Sequence, residues 1–132
     1  MMWDPSLNTN IASVDKQHMK LIEVIETLDA NIIHHHDADY IPSIIAFLDN
    51  YVAEHFKHEK ELMLVSEYPN REKHLEAHAD FILDFGDLKK QAEVEGISVN
   101  IVTHLHDFLY DWLVDHIQHI DMAFARFYNR CE

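Results

Sequence analysis

Four segments of this chain repeat apolar residues every three or four positions, and His18, His55, Glu59, His74, His78, His116 and Asp121 fall on those segments. His55 and Glu59 are four apart, as are His74 and His78, so each pair projects from one helix face on successive turns. Imidazole and carboxylate groups converging from several helices are what a bundle needs to hold metal ions in its core. Only two glycines and three prolines interrupt 132 residues that are 48% apolar, so long helices with short connections are expected.

Residues 1–14 carry Pro5, two asparagines and little periodicity. They read as an extended arm whose Trp3, Leu7 and Ile11 pack on the bundle. A first helix is expected from about Asp15, with His18, Leu21, Ile22, Ile25, Leu28 and Ile32 on its stripe, running out near His34-His35-His36-Asp37. Asp39 suits an N-cap for a second helix, with Pro42 in its first turn. That helix carries Ile44, Ile45, Leu48, Val52, His55, Phe56, Glu59, Leu62 and Met63, and Tyr68-Pro69 marks its break. The third helix bears His74, Leu75, His78, Phe81, Ile82, Phe85 and Leu88, and Gly96 ends it. Ser98 can cap a fourth helix from about Val99 to Tyr128, with Val102, Leu105, Leu109, Trp112, Leu113, His116, Ile117, Ile120 and Phe124 facing inward. The expected fold is all-α, an up-down-up-down antiparallel four-helix bundle. Residues 1–132 read as a single domain without internal repeat or appended module.

A formal charge of −14 argues against nucleic acid and against anionic membrane surfaces as partners. No apolar run is long enough to span a bilayer, and no signal-peptide layout opens the chain, so a soluble cytoplasmic protein is expected. Cys131 is the lone cysteine and suggests neither a disulfide framework nor a cluster. His58-Glu59 begins like a zinc-protease motif, but Leu62 stands where the second histidine is needed. Glu-x-x-His, the ferritin-like di-iron pattern, is absent from the sequence.

A lone histidine on an apolar stripe is usually a hydrogen-bonded core residue, which is the plain reading of His18 taken by itself. Paired histidines and a stripe carboxylate are harder to dismiss. A buried Glu59 wants either a cation or a raised pKa. His34, His35 and His36 read as solvent-exposed near a helix end, and His58, His104, His106 and His119 as surface residues or supports for the ligands.

Asp15-x-x-His18 with Leu21, His55-Phe56-x-x-Glu59-x-x-Leu62-Met63, Tyr68-Pro69, His74-x-x-x-His78, and Trp112-Leu113-x-x-His116-Ile117-x-x-x-Asp121 together resemble the hemerythrin family. The resemblance spans Trp3 to about Phe124, and the bare length with a Trp3 arm is similar to the family's single-domain bacterial form. Where relatives often carry two adjacent acids, Glu59 is followed by Lys60, which is not a ligand position. His116 and Asp121 are five apart, which an ideal helix would leave about 140° out of register. The resemblance pairs them nonetheless, and a local bulge or differing side-chain reach must reconcile the spacing.

The resemblance implies two iron ions joined by an oxo or hydroxo bridge. His74, His78 and His116 would hold one iron and His18 and His55 the other, with Glu59 and Asp121 bridging. Five imidazoles, two bridging carboxylates and one oxygen bridge leave a pair of octahedral irons one bond short, so a single position stays open. By resemblance, dioxygen binds there and is released intact, with Leu21, Phe56, Trp112 and Leu113 lining the space around it. As pure structure those four are ordinary bundle core.

The leading expectation is reversible dioxygen binding for transport, storage or local delivery, without enzymatic turnover. The same pocket suits nitric oxide, azide or peroxide, so an enzyme reducing nitric oxide or peroxide is the alternative, served by an unidentified electron-donor protein. An oxygen or redox sensor is a third reading, although the chain carries no visible output module. The plain competitor is an acidic helical interaction protein that holds no metal.

Overall fold

The computed structural model describes residues 5–34, 40–96 and 98–130. A short 3₁₀ turn, Pro5–Leu7, leads into α1 (Ala12–His34), α2 (Tyr40–Val65), α3 (Arg71–Glu95) and α4 (Val99–Asp115). A π-helical segment, His116–Asp121, joins α4 to α5 (Met122–Arg130). The expectations for Trp3, His35, His36, Asp37, Asp39 and Cys131 fall outside the described residues. Helices α1 and α2, α2 and α3, and α3 and α4 pack as neighbours, and α4 closes back onto α1. That is the expected all-α four-helix bundle. Among the described residues there is no strand, and no helix is long and apolar enough to cross a membrane.

Each helix buries the stripe its apolar spacing predicts. Ile22, Ile25 and Leu28 of α1 meet Ile41, Leu48 and Val52 of α2, Phe81 and Phe85 of α3, and Leu105 and Leu109 of α4 in one core. A second cluster (Ile11, Val14, Met63, Tyr68, Phe124 and Ala125) closes the other end. The seven candidate ligands are on helix stretches that border both clusters. Ile82 departs from the expected inner face, being 56% exposed, and Ile120 is only half-buried.

The boundaries follow from specific hydrogen bonds. The first helix starts a turn earlier than expected because Asp15 lies inside it. Its backbone N–H donates to Ile11 O at 2.9 Å, while its carboxylate accepts from Thr9 N and Thr9 Oγ1 at 2.8 and 2.7 Å. The arm is therefore not simply extended. It makes a 3₁₀ turn, passes through a left-handed Asn10, and packs Leu7 and Ile11 inward as expected. Asn129 Nδ2 also donates to Thr9 O at 3.0 Å, tying the arm to α5.

Helix α2 ends at Val65, short of Tyr68-Pro69. Tyr68 N–H returns to Met63 O at 3.0 Å and Glu67 N–H to Leu64 O at 3.3 Å, around a left-handed Glu67 with φ 57°. This is a Schellman cap, with Tyr68 packed in the same cluster as Met63. Gly96, at φ 81°, closes α3 and donates to Ala92 O, and Ser98 Oγ accepts from Ile101 N at 3.2 Å to open α4, both as expected.

Candidate metal centre

All seven candidate ligands meet in the bundle interior, none more than 4% exposed. α1 supplies His18, α2 supplies His55 and Glu59, α3 supplies His74 and His78, and the π-helical segment supplies His116 and Asp121. They form two groups, His18, His55, Glu59 and Asp121 in one and Glu59, His74, His78, His116 and Asp121 in the other. Ligand atoms within each group lie within 4.8 Å of one another. The two carboxylates belong to both groups.

Separations across the centre are short. His55 Nε2 is 3.0 Å from Glu59 Oε1, and His74 Nε2 is 3.0 Å from Asp121 Oδ1. His18 Nε2 is 3.1 Å from Asp121 Oδ2, and His78 Nε2 is 3.4 Å from Glu59 Oε1. Yet both oxygens of Glu59, both of Asp121, and Nε2 of His74, His78 and His116 are buried without an aligned hydrogen bond. A native core rarely leaves so many polar atoms orphaned. These donor atoms gather in two groups, each within 4.8 Å, which is the arrangement cations would satisfy. Nitrogen and carboxylate donors of this kind suit iron, and the residues present fit a pair of such ions.

Without a metal, protons take over part of that role. Burial by itself pushes the Glu59 carboxyl up, but the facing imidazoles, His55 first, outweigh it and hold it well below the usual carboxylate range. Burial and the Glu59 charge press Asp121 up, and His116 and His18 bring it down further. Burial works against a charged His74, yet Asp121 and Glu59 raise it to about 9. His78 moves the other way, because burial there exceeds the pull of Glu59.

The π-helical segment resolves the five-residue spacing. Met122 N–H donates to Ile117 O, an i to i−5 bond, and this wider turn sets Asp121 Oδ1 3.1 Å from His116 Nε2. Aromatic rings fix two imidazoles. Phe56 stacks on His78 with centroids 3.8 Å apart, and Trp112 on His116 at 4.3 Å.

An apolar cavity of about 20 Å³ adjoins the His55 side of the centre. Leu21, Phe56, Trp112 and Leu113 line it, together with Ile25, Leu48, Val52, Phe81, Leu109 and His55. His104 and His119 are exposed. His106 is half-buried outside the centre, its Nδ1 3.1 Å from Asp107 Oδ1, and Tyr110, 38% exposed, stacks beside it. Lys60 is exposed. Gln17 escaped the reading of the sequence. Its Oε1 lies 2.7 Å from His55 Nδ1, and its position just before His18 was the one available hint.

The hemerythrin HHE cation binding domain matches residues 9–128 of this chain. A hemerythrin-like protein from Naegleria gruberi is 30% identical over 122 residues, covering 92% of this chain and 88% of that protein. The bacteriohemerythrin of Pseudomonas paraeruginosa is 29% identical over 126 residues, covering 95% of this chain and 79% of the relative. That of Methylococcus capsulatus is 27% identical, covering 95% and 94%. A bundle whose four walls converge buried histidines and two shared carboxylates on one centre, matched over nearly its whole length, makes this chain a member of the hemerythrin family.

Proposed function

We propose that this protein binds dioxygen reversibly at a non-haem di-iron centre, for oxygen transport, storage or local delivery, and is not an enzyme. In this reading His74, His78 and His116 hold one iron, His18 and His55 the other, and Glu59 and Asp121 bridge them. A ferrous pair, when bound, supplies the electrons with which dioxygen is held. Everything else is the work of the protein.

The observation that carries the reading is the make-up of the cavity. Its lining is aliphatic and aromatic apart from His55, so a small apolar gas is favoured there and water is not. An enzyme reducing peroxide or nitric oxide needs a proton donor within reach of the reacting atoms. Among the described residues the cavity lining holds no hydroxyl-bearing or acidic side chain, its only side-chain N–H groups being those of His55 and Trp112, and Tyr110 and His106 are not part of it. Leu21, Phe56, Trp112 and Leu113 keep external protons away, which favours release of the ligand intact. Nitric oxide and azide suit the same space.

The test is a visible spectrum of the iron-loaded, anaerobically reduced protein before oxygen, after oxygen, and after purging. A band that appears with oxygen and vanishes on purging, with return of the reduced protein, is the expected result. Direct conversion to a stable oxidised form would favour an enzyme or a sensor.

A further inference from the structure

Side-chain hydrogen bonds cross the seam between α1 and α2, and one of them reaches the centre from outside it. Ser13 and Gln17 stand one turn apart on α1, and His58 and His55 face them from α2. Ser13 Oγ is 2.8 Å from His58 Nε2, and Gln17 Oε1 is 2.7 Å from His55 Nδ1. The contrast with other imidazoles is sharp. Nδ1 of His18, His74 and His78 is buried with no hydrogen-bond partner. His55 is also the candidate ligand that lines the apolar cavity.

His55 Nε2 points into the centre, 3.0 Å from Glu59 Oε1 and 3.1 Å from His18 Nε2. To bind a metal it must present a lone pair there, so the proton of the neutral ring must sit on Nδ1. Gln17 offers that proton a carbonyl oxygen at hydrogen-bond distance. We propose that Gln17 is the positioning residue for His55, fixing its tautomer and ring plane and so tuning the metal that faces the cavity. The inference rests on the metal-centre reading above. A ring that donates from Nδ1 is a more basic ligand through Nε2, which favours the higher oxidation state of the metal it holds.

The test uses the full chain as wild type, Gln17→Met and Gln17→Glu, titrated anaerobically with ferrous iron. Reduction potentials are then measured on the loaded proteins, and melting of the metal-free forms checks the fold. Gln17→Met keeps the length but removes the acceptor. Iron affinity at one of the two positions should fall about 10–100-fold, and the potential should rise. Gln17→Glu keeps an acceptor and strengthens it, so iron should be retained and the potential should move below wild type.

Wild-type affinity and potential in Gln17→Met would overturn the proposal. So would shifts of the same sign in both variants, since that marks Gln17 as packing alone. Should Gln17→Met fail to fold, Gln17→Glu decides: a lower potential supports the proposal and an unchanged one overturns it. If the wild type takes up no iron, the metal-centre reading falls and this inference with it.

Discussion

Asp121 Oδ1 stands 3.1 Å from His116 Nε2 although the two residues are five apart. Regular α geometry would turn them about 140° away from each other. The backbone instead widens to i to i−5 bonding for His116–Asp121 and returns to α form at Met122. A π turn of this kind acts as one extra residue inside an otherwise α-helical rod, and such turns occur mostly at functional sites.

That relationship predicts opposite outcomes for two changes at the exposed Gln118. Deleting it leaves His116 and Asp121 with four-residue spacing, which a plain α-helix keeps on one face. The deletion variant should retain metal. Inserting alanine after Gln118 rotates Asp121 by about 100° and withdraws it from the centre. Metal affinity should then fall by more than the roughly 10–100-fold that loss of a supporting partner costs. Metal content after dialysis reads both variants. Retention by the insertion or loss by the deletion would contradict this account of the π turn.

Leu113 is 5% exposed and lines the cavity beside Trp112. Leu113→Ala should cost about 2–5 kcal/mol of stability. On the dioxygen-binding reading proposed above, it should also open space for water next to His55 and so shorten the lifetime of the oxygenated form. Leu113→Met nearly conserves volume, should cost under about 1.5 kcal/mol, and should leave that lifetime near wild type. An unchanged autoxidation rate in Leu113→Ala with an intact iron centre would count against gating by this residue.

Six residues of the centre were legible because each lies on a stripe whose period already demands burial, whereas Asp121 lies off that stripe by regular spacing and entered only through the family resemblance. Their convergence follows once four such stripes face one core. The pairing of His116 with Asp121 was not readable from spacing, since no residue between them announces a π turn. Gln17 was hard to see for a related reason: beyond its place just before His18, a polar residue on the flank of a stripe reads as solvated until its partner helix is placed. Ile82 misled because apolar residues at 81, 82, 83 and 85 blur the helical period, and packing selects Phe81 and Phe85. The end of α2 was read too late because Tyr68-Pro69 is a strong break, whereas a left-handed glutamate gives no warning.

Glu67 offers a stability test away from the metal. It is exposed and sits at φ 57°, where its Cβ crowds the following carbonyl at a cost of roughly 1–2 kcal/mol. Glycine adopts this conformation freely but loses more chain entropy on folding. Glu67→Gly should therefore stabilise the protein by about 0.5–1 kcal/mol while leaving metal content unchanged. Glu67→Val should destabilise it, since branching at Cβ worsens the crowding. Urea unfolding of the metal-free forms measures both, and a glycine variant less stable than wild type would overturn the strain argument.

Removing the metal should change how stability follows pH. In the metal-free protein His74 is raised to about 9, so its stabilising contribution is complete below the ordinary histidine range and fades as pH climbs through about 9. Glu59 and Asp121 are held low, so their contribution is present above the ordinary carboxylate range and is lost as acid protonates them. His78 is pushed down by burial, so it too costs stability as pH falls below the ordinary histidine range. The metal-free chain should thus be most stable around the ordinary histidine pKa, roughly pH 6–7, and should weaken toward pH 9 as His74 loses its proton. The loaded protein should behave oppositely over the same range, because protons compete with metal for the imidazoles and their removal tightens binding. Melting temperatures of loaded and chelator-stripped protein should therefore diverge as pH rises from 6 to about 9. Curves that stay parallel across that range would show that His74 carries no proton for the metal to displace.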